Sequence, residues 1–171
     1  MNKSMLVVGI VALLATFGAN AQTKISSTAK CKSETSKSLD VGDRPGHKLG
    51  IFKSNCTYTE ASEIAGQKLK EGHAVATTED TSARSTDKGH YVATMEGGDK
   101  FFAVFQGTQP LKDGKAAGAE TGTYIYTGGT GKLKGIKGKG TYRVTPNQDD
   151  TVTVVSEGEY TLTAGKAGAD K

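Results

Sequence analysis

The chain has 171 residues and a formal net charge of +4, and it combines 23 glycines with 35% hydrophobic residues and no tryptophan. This length predicts one domain with a thin core, and the composition excludes a coiled coil, a collagen and a multidomain enzyme. These quantities leave the activity open.

The N-terminal segment has the three parts of a secretory signal. Lys3 precedes an apolar run over 5–17, which is followed by the small-residue site Ala19-Asn20-Ala21. We therefore predict a signal peptide over 1–21, cleaved before Gln22, and a mature protein that is periplasmic or secreted. The apolar run is shorter than the ~20 residues that a membrane-spanning helix needs, so no membrane span is predicted.

The two cysteines, Cys31 and Cys56, are predicted to form a disulfide. A signal peptide sends the chain to a compartment where thiols are oxidised and disulfides persist. In the chain-entropy model, a loop of this size contributes ~3 kcal/mol, which matters in a small domain with little core. Neither cysteine has a second cysteine or a histidine at zinc-site spacing, so no metal is predicted.

Residues 22–46 are mostly polar and end in the turn-rich stretch 42–46, so we expect an irregular N-terminal segment that Cys31 holds against the domain. A barrel domain is predicted over 47–163, and the tail over 164–171 has nothing to bury and is expected to be disordered. The only helix candidate is 59–65. The predicted strands are 48–59, 72–85, 90–96, 100–108, 121–127, 140–145 and 151–163.

Alternation along the last predicted strand separates two faces. Val152, Val154, Tyr160 and Leu162 share one parity, whereas threonines and glutamate occupy the other. Glycine-rich and aspartate-rich breaks between the strands fit hairpin turns. The pattern predicts an all-β fold, an antiparallel meander that closes into a barrel or a sandwich.

The glycine-rich stretch 126–142 invites comparison with phosphate-binding loops, but it lacks their spacing. Gly131-Lys132 is followed by Leu133 rather than Ser or Thr, and no glycine stands five positions before Gly131. A tight hairpin fits better. Gly131 or Gly135 would supply positive φ, while Leu133 and Ile136 would anchor the turn to the core.

At this stretch the sequence resembles a family. Residues 128–133, Gly-Gly-Thr-Gly-Lys-Leu, resemble the Gly-Gly-Thr-Gly-Lys/Arg-Phe segment of dirigent proteins and allene oxide cyclase-like barrels, which include many secreted bacterial members. The strand pattern over roughly 49–162 and the Glu-Gly-Glu-Tyr strand at 157–160 also agree. The resemblance implies an eight-stranded antiparallel barrel, usually open at one end onto a cavity. No site residue is carried over, and Leu133 stands where the family more often has Phe.

Catalytic patterns are sparse. None of His47, His73 and His90 has the spacing of a known catalytic or metal motif, so we predict no catalytic residue and no cofactor. A second interpretation, weighed against surface histidines, is an acid–base group at one rim of the barrel. Its members would be His73, Glu79, Asp80, Asp87 and His90.

Four lysines, at positions 132, 134, 137 and 139, form a basic cluster. Aromatic residues are not interleaved with them, so no nucleic-acid partner is predicted. Solvated lysines that protect a sheet edge fit better, and weak attraction to lipopolysaccharide or another polyanion stays open.

Two function classes follow. The first is a binding or scaffold barrel that holds a small, largely apolar molecule, although an eight-stranded barrel can also be filled by its own side chains. The candidate ligand-binding residues are Tyr91, Phe101, Phe105, Tyr124, Tyr126, Tyr142 and Tyr160.

The second class is a cyclase or isomerase-type enzyme, as the resemblance permits. It would need a buried acid or base, for which Glu79, Asp80 and Glu96 are the candidates. The sequence leaves the oligomeric state open.

Overall fold

The computed structural model describes residues 22–60 and 62–162. Eight long antiparallel strands form a closed barrel, and two short strands extend its hairpins. The strands are β1 (Thr23–Asp40), β2 (Lys48–Glu60), β3 (Glu63–Ile64), β4 (Gln67–Asp80), β5 (Arg84–Met95), β6 (Lys100–Lys112), β7 (Lys115–Ala116), β8 (Glu120–Gly129), β9 (Ile136–Pro146) and β10 (Thr151–Leu162). The predicted signal peptide over 1–21 and tail over 164–171 lie outside the described residues.

The barrel is an up-and-down meander. Each long strand pairs with the next long strand along the chain, β3 and β7 pair only with β4 and β6 respectively, and β1 pairs with β10 to close the ring. Each long strand therefore has a partner on both sides, although residues 33–40 of β1 extend beyond β10 and pair only with β2. The predicted antiparallel barrel is therefore confirmed. Within the described residues, no helix is long and apolar enough to cross a membrane.

The N-terminal segment corrects the sequence analysis. The polar composition of residues 22–46 predicts an irregular segment, but Thr23–Asp40 is the longest strand and pairs with both β2 and β10. Ile25, Ala29 and Cys31 are buried on its inner face, together with Ser27. Small and polar side chains at inward positions weaken the alternation signal, while backbone pairing on both sides holds the strand.

The helix candidate over 59–65 is also wrong. The chain continues as β2 to Glu60, and β3 then turns back onto β4. Ala65 and Gly66 form the loop between β3 and β4, with φ values of +52° and +73°. Positive φ at both central residues is the backbone of a type I′ hairpin turn, which matches the twist of the flanking strands.

The disulfide prediction is confirmed. Cys31 on β1 and Cys56 on β2 are register partners with Cα atoms 4.0 Å apart, and they are bonded. Both lie on the inner face of the barrel and are almost fully buried. Bonds of this kind persist in oxidising compartments such as the periplasm and the extracellular space.

One end of the barrel is closed by apolar side chains. Ile64, Met95, Leu133 and Ile136 are each at most 1% exposed there. Leu133 and Ile136 come from the glycine-rich hairpin, whose glycines Gly131 and Gly135 have φ values of +50° and +79°, as predicted. We call the opposite end, where β1, β4, β6 and β9 finish, the mouth; there Asp150, in the loop after β9, lines the cavity of the barrel.

Candidate functional site

The barrel encloses a cavity of about 400 Å³. Side chains from all eight long strands line it, and most are aromatic, aliphatic or alanine. Ligand pockets in proteins have volumes of this order and are mainly apolar, with a few polar groups. The barrel is therefore hollow rather than filled by its own side chains.

Glycines beneath the large rings explain why the interior stays open. The ring of Tyr142 lies across Gly122 on the neighbouring strand, and the ring of Tyr124 lies across Gly140. A Cβ at either glycine would collide with the ring above it. Because these rings cover the wall instead of projecting to the axis, space remains at the centre.

The structure brings together most of the aromatic residues predicted to bind a ligand. Six of the seven line the cavity: Tyr91, Phe101, Phe105, Tyr124, Tyr126 and Tyr142. Tyr160 instead packs into the closed end of the barrel, where it is 7% exposed. Sequence reasoning missed Phe52 and Tyr58, which also line the cavity.

The aromatic wall is a connected set of edge-on contacts. The ring of Tyr126 lies 5.0 Å from that of Phe101 and 5.4 Å from that of Tyr124, centroid to centroid. The hydroxyls of Tyr58 and Tyr91 are hydrogen-bonded at 3.0 Å. Burial raises the pKa of Tyr91 to about 12 and raises that of Tyr126 as well. These hydroxyls therefore stay neutral near pH 7 and offer hydrogen bonds without charge.

An acidic cluster lies on the mouth side of this wall. Asp87, Gly107, Gly122 and Tyr142 form one cross-strand row over β5, β6, β8 and β9. The hydroxyl of Tyr142, Oδ1 of Asp87 and Oε1 of Glu120 all lie within 2.8 Å of the point where a Cβ on Gly107 would stand. Three oxygens thus converge above a residue without a side chain.

The electrostatics of this acidic cluster are those of buried, mutually repelling groups. Burial raises the pKa of Glu120 to about 7, and the charge of Asp87 adds to the effect. Burial also raises the pKa of Asp87, which is only 7% exposed. The pKa of Tyr142 is raised by burial and by the two carboxylates. With a pKa raised to about 7, Glu120 can take up or release a proton near neutral pH, so it can serve as an acid or as a base.

Two polar atoms of the cluster lack partners. Oδ2 of Asp87 and the hydroxyl of Tyr142 are buried and make no hydrogen bond of normal geometry within residues 22–60 and 62–162. The hydroxyl is nonetheless near enough to both carboxyl groups to affect their ionisation. Buried polar atoms are normally satisfied, so Oδ2 of Asp87 is free to accept a hydrogen bond from a group that enters the cavity, and the hydroxyl of Tyr142 is free to accept or donate one.

The predicted rim group is not assembled. His73, Glu79 and His90 lie on the outer face of the barrel, whereas Asp87 faces the cavity. Asp80 accepts a hydrogen bond from the hydroxyl of Ser85 at 2.5 Å. Alternation along β4 and β5 places these residues on opposite sides of the wall.

Glu79 belongs instead to a small polar cluster at the mouth. Its Oε1 lies 3.1 Å from Nε2 of His47, and Nδ1 of that histidine lies 2.5 Å from Asp43. None of the three acids proposed for the enzyme hypothesis, Glu79, Asp80 and Glu96, lines the cavity. Among the described residues no group of histidine, cysteine or acidic side chains is arranged to hold a metal ion.

Glu120 was missed, although a signal for it exists. It shares the parity of Tyr124 and Tyr126 on β8, just as Asp87 shares that of Tyr91 on β5. A strand whose aromatic residues face inward places an acid of the same parity inward too. Extending each alternating pattern along its strand would therefore have found both carboxyl groups.

No protein-family model matches this chain, and no curated protein matches it. Several solved structures are similar to this chain, and three of them are as follows. A pyocyanin demethylase is 16% identical over 78% of this chain and 99% of its own, with a TM-score of 0.44. A protein of unknown function from the DUF3224 family of Shewanella oneidensis is 14% identical over 84% of this chain and 98% of its own, with a TM-score of 0.49.

The third is a pterocarpan synthase dirigent protein, 9% identical over 90% of this chain and 98% of its own, with a TM-score of 0.46. At these identities and TM-scores, no activity or site residue is transferred to this chain.

Proposed function

We propose that this protein is an exported barrel that binds a small, largely apolar molecule in its interior. The observation that carries the proposal is the hollow, one-end-closed cavity of about 400 Å³, whose wall is built from aromatic rings and small residues. A polar group of the ligand would face the acidic cluster formed by Asp87, Glu120 and Tyr142, and its apolar part would lie toward Phe101 and Tyr126.

The proposal includes export of the protein and its membership of a barrel superfamily. The signal-like segment over 1–21 and the buried Cys31–Cys56 disulfide support a periplasmic or extracellular location. The likeness of segment 128–133 to allene oxide cyclase-like and dirigent barrels supports membership of that superfamily.

Binding is tested with N-phenyl-1-naphthylamine, an apolar dye whose fluorescence rises when it leaves water. We expect saturable binding with a micromolar dissociation constant. Phe105→Ala and Tyr126→Ala should weaken it because both rings line the cavity, whereas the control His90→Ala changes only the outer face. Absence of saturable binding, or equal effects of all three substitutions, would contradict the proposal.

A second candidate function is proton-transfer catalysis of the cyclase or isomerase type. The observation that favours it is the carboxyl pair, in which burial raises the pKa of Glu120 to about 7 beside Asp87. A buried acid–base pair poised near neutral pH can take a proton from one atom of a substrate and return one to another. This function predicts turnover of an isomerisable substrate that Glu120→Gln abolishes and His90→Ala leaves unchanged; turnover that survives Glu120→Gln excludes it.

A further inference from the structure

The cavity carries negative charge without a matching positive group. Asp87, Glu120 and Asp150 are its ionisable acids, and no Lys, Arg or His is among its lining residues in the described part of the chain. The charged neighbours of the acidic cluster in sequence, Lys88 and Arg143, are exposed on the outer face. Since low-dielectric walls strengthen the field inside, the interior attracts cations.

The acidic cluster is arranged as an acceptor site. Its three oxygens lie close together beside Gly107, each within 2.8 Å of the point that a Cβ there would occupy, and two of its polar atoms have no partner of normal geometry among the described residues. A neutral hydroxyl group on a ligand can donate one hydrogen bond to the cluster, but it does not reduce the repulsion between the two carboxyl groups. A protonated amine brings up to three donors and a positive charge, so it can bond several oxygens and relieve that repulsion together.

Aromatic faces beside the cluster fit the same ligand. The rings of Phe105 and Tyr142 have centroids 6.0 Å apart at nearly a right angle, and both line the cavity. A cation within about 6 Å of such a ring is attracted by its electron-rich face. The titratable groups that line this part of the cavity are the three members of the cluster, Asp87 from β5, Glu120 from β8 and Tyr142 from β9, together with Tyr124 from β8.

We infer that the natural ligand is an organic cation, a protonated amine on a compact apolar body, whose nitrogen is bound by Asp87, Glu120 and Tyr142. This inference rests on the proposed binding function and adds the chemical class of the ligand. The apolar body lies against the aromatic wall, deeper in the barrel than the nitrogen.

Three probes of one shape test the inference: 1-naphthylmethylamine, 1-naphthylmethanol and 1-naphthoate. Isothermal titration calorimetry at pH 8, above the pKa of about 7 of Glu120, should give an amine affinity about tenfold above that of the alcohol, and no binding of the carboxylate. At pH 5 the advantage of the amine should shrink to about threefold or less, because Glu120 is then protonated. Titrations at pH 7 in two buffers of different ionisation enthalpy should show proton release on amine binding.

Matched substitutions identify the site. The double variant Asp87→Asn with Glu120→Gln keeps side-chain size but removes both charges, so the amine should no longer bind more tightly than the alcohol. Glu120→Gln alone should lose part of it. Glu157→Gln, which removes an exposed carboxylate on β10, should retain it in full. Gly107→Ala should weaken binding of the amine more than binding of the alcohol, because the Cβ of the alanine would displace the three oxygens of the cluster.

The outcomes separate the inference from the proposed function. Equal binding of amine and alcohol at pH 8, or an amine preference that survives the double substitution, overturns the inference and leaves a general apolar binder. Failure of the amine, the alcohol and the apolar dye to bind overturns the proposed function itself.

Discussion

Two glycines separate Asp87 from Tyr142 in the cross-strand row that forms the acidic cluster. Because Gly122 has no side chain, the ring of Tyr142 can lie across the barrel wall. Because Gly107 has none, the three oxygens of the cluster can approach one another beside it. The chemistry of the cluster therefore depends on two residues that have no functional group.

Glu120 should make stability pH-dependent. Its pKa is raised from the ordinary value of 4.5 to about 7, so the folded protein holds this proton more tightly than the unfolded chain does. The stability that depends on this proton is full below pH 4.5 and is lost as the pH rises through about 7. We expect Glu120→Gln to be about 1–2 kcal/mol more stable than the wild type at pH 8 and to lose that advantage at about pH 4.5.

Urea denaturation from about pH 4 to about pH 8 measures the effect. Subtracting the variant from the wild type isolates Glu120 from acids such as Asp149, whose pKa is lowered to about 2 by Lys30. Glu157→Gln serves as the exposed control and should show no such trend. A difference between wild type and Glu120→Gln that stays constant with pH would refute this account.

At the scale of elements, the glycine-rich turn after β8 depends on Gly131. Its φ of +50° strains any residue with a Cβ, and that Cβ would displace the carboxylate of Asp99. Asp99 accepts hydrogen bonds from the backbone N–H of Lys132 at 3.0 Å and from Nε2 of Gln67 at 2.6 Å. The turn therefore depends both on the left-handed backbone of Gly131 and on the hydrogen bonds that the carboxylate of Asp99 accepts.

Gly131→Ala should consequently destabilise more than Gly114→Ala. Gly114 also has positive φ, at +73°, but nothing lies within 4 Å of the point that its Cβ would occupy. We expect about 1 kcal/mol for Gly114→Ala, from backbone strain alone, and at least about 1 kcal/mol more for Gly131→Ala. Chemical denaturation measures the free energy of unfolding of both variants. Equal losses would mean that the hydrogen bonds of Asp99 do not stabilise the turn.

The disulfide between β1 and β2 allows another matched comparison. Cys31→Ala with Cys56→Ala should lower the free energy of unfolding by about 2–4 kcal/mol. The control is Ser33→Ala with Ser54→Ala, the next register pair on the same face of these strands, which also lines the cavity but has no covalent bond. Thiol titration of the unreduced, denatured protein should find no free sulfhydryl, and two free thiols would contradict the bond.

Strand existence was predictable for seven of the eight barrel strands because their alternation or aromatic content is strong. β1 was missed since its inward positions carry Ser27, Ala29 and Cys31, whose small side chains give no clear apolar or aromatic signal. Its role as a wall strand comes from pairing with β2 and β10, and β10 is distant in sequence. Local pattern cannot report such a partner.

At the scale of the whole molecule, apolar packing is concentrated at the closed end. Leu133 is 0% exposed there, whereas Leu39, near the mouth, is 79% exposed. We expect Leu133→Ala to cost about 2–5 kcal/mol and Leu39→Ala at most about 0.5 kcal/mol. Denaturant titration of both variants measures the contrast, and similar losses would show that the closed end is not the main source of stability.

The candidate site was only half predictable for a related reason. Aromatic residues with consistent parity indicated the wall, and six of them do line the cavity. Glu120 and Asp87 come together because β5, β6 and β8 are neighbours in the meander and pair in one particular register. Which acids converge therefore depends on that register, and the volume left at the centre depends on closure of the ring.

The pairing of β1 with β10, which closes the barrel, has a consequence for folding. Residues 23–32 pair with residues 151–160, and Ser27 is hydrogen-bonded to Ser156 across 129 positions. Every other pair of neighbouring strands in the ring consists of long strands that follow one another, so we expect this long-range closure to be the slow, entropically costly step. Until β10 pairs with β1, β1 and β9 each expose an unpaired edge that can recruit another chain. The Cys31–Cys56 bond joins the first two strands of the chain, so it would hold β1 in register with β2 until β10 pairs with β1.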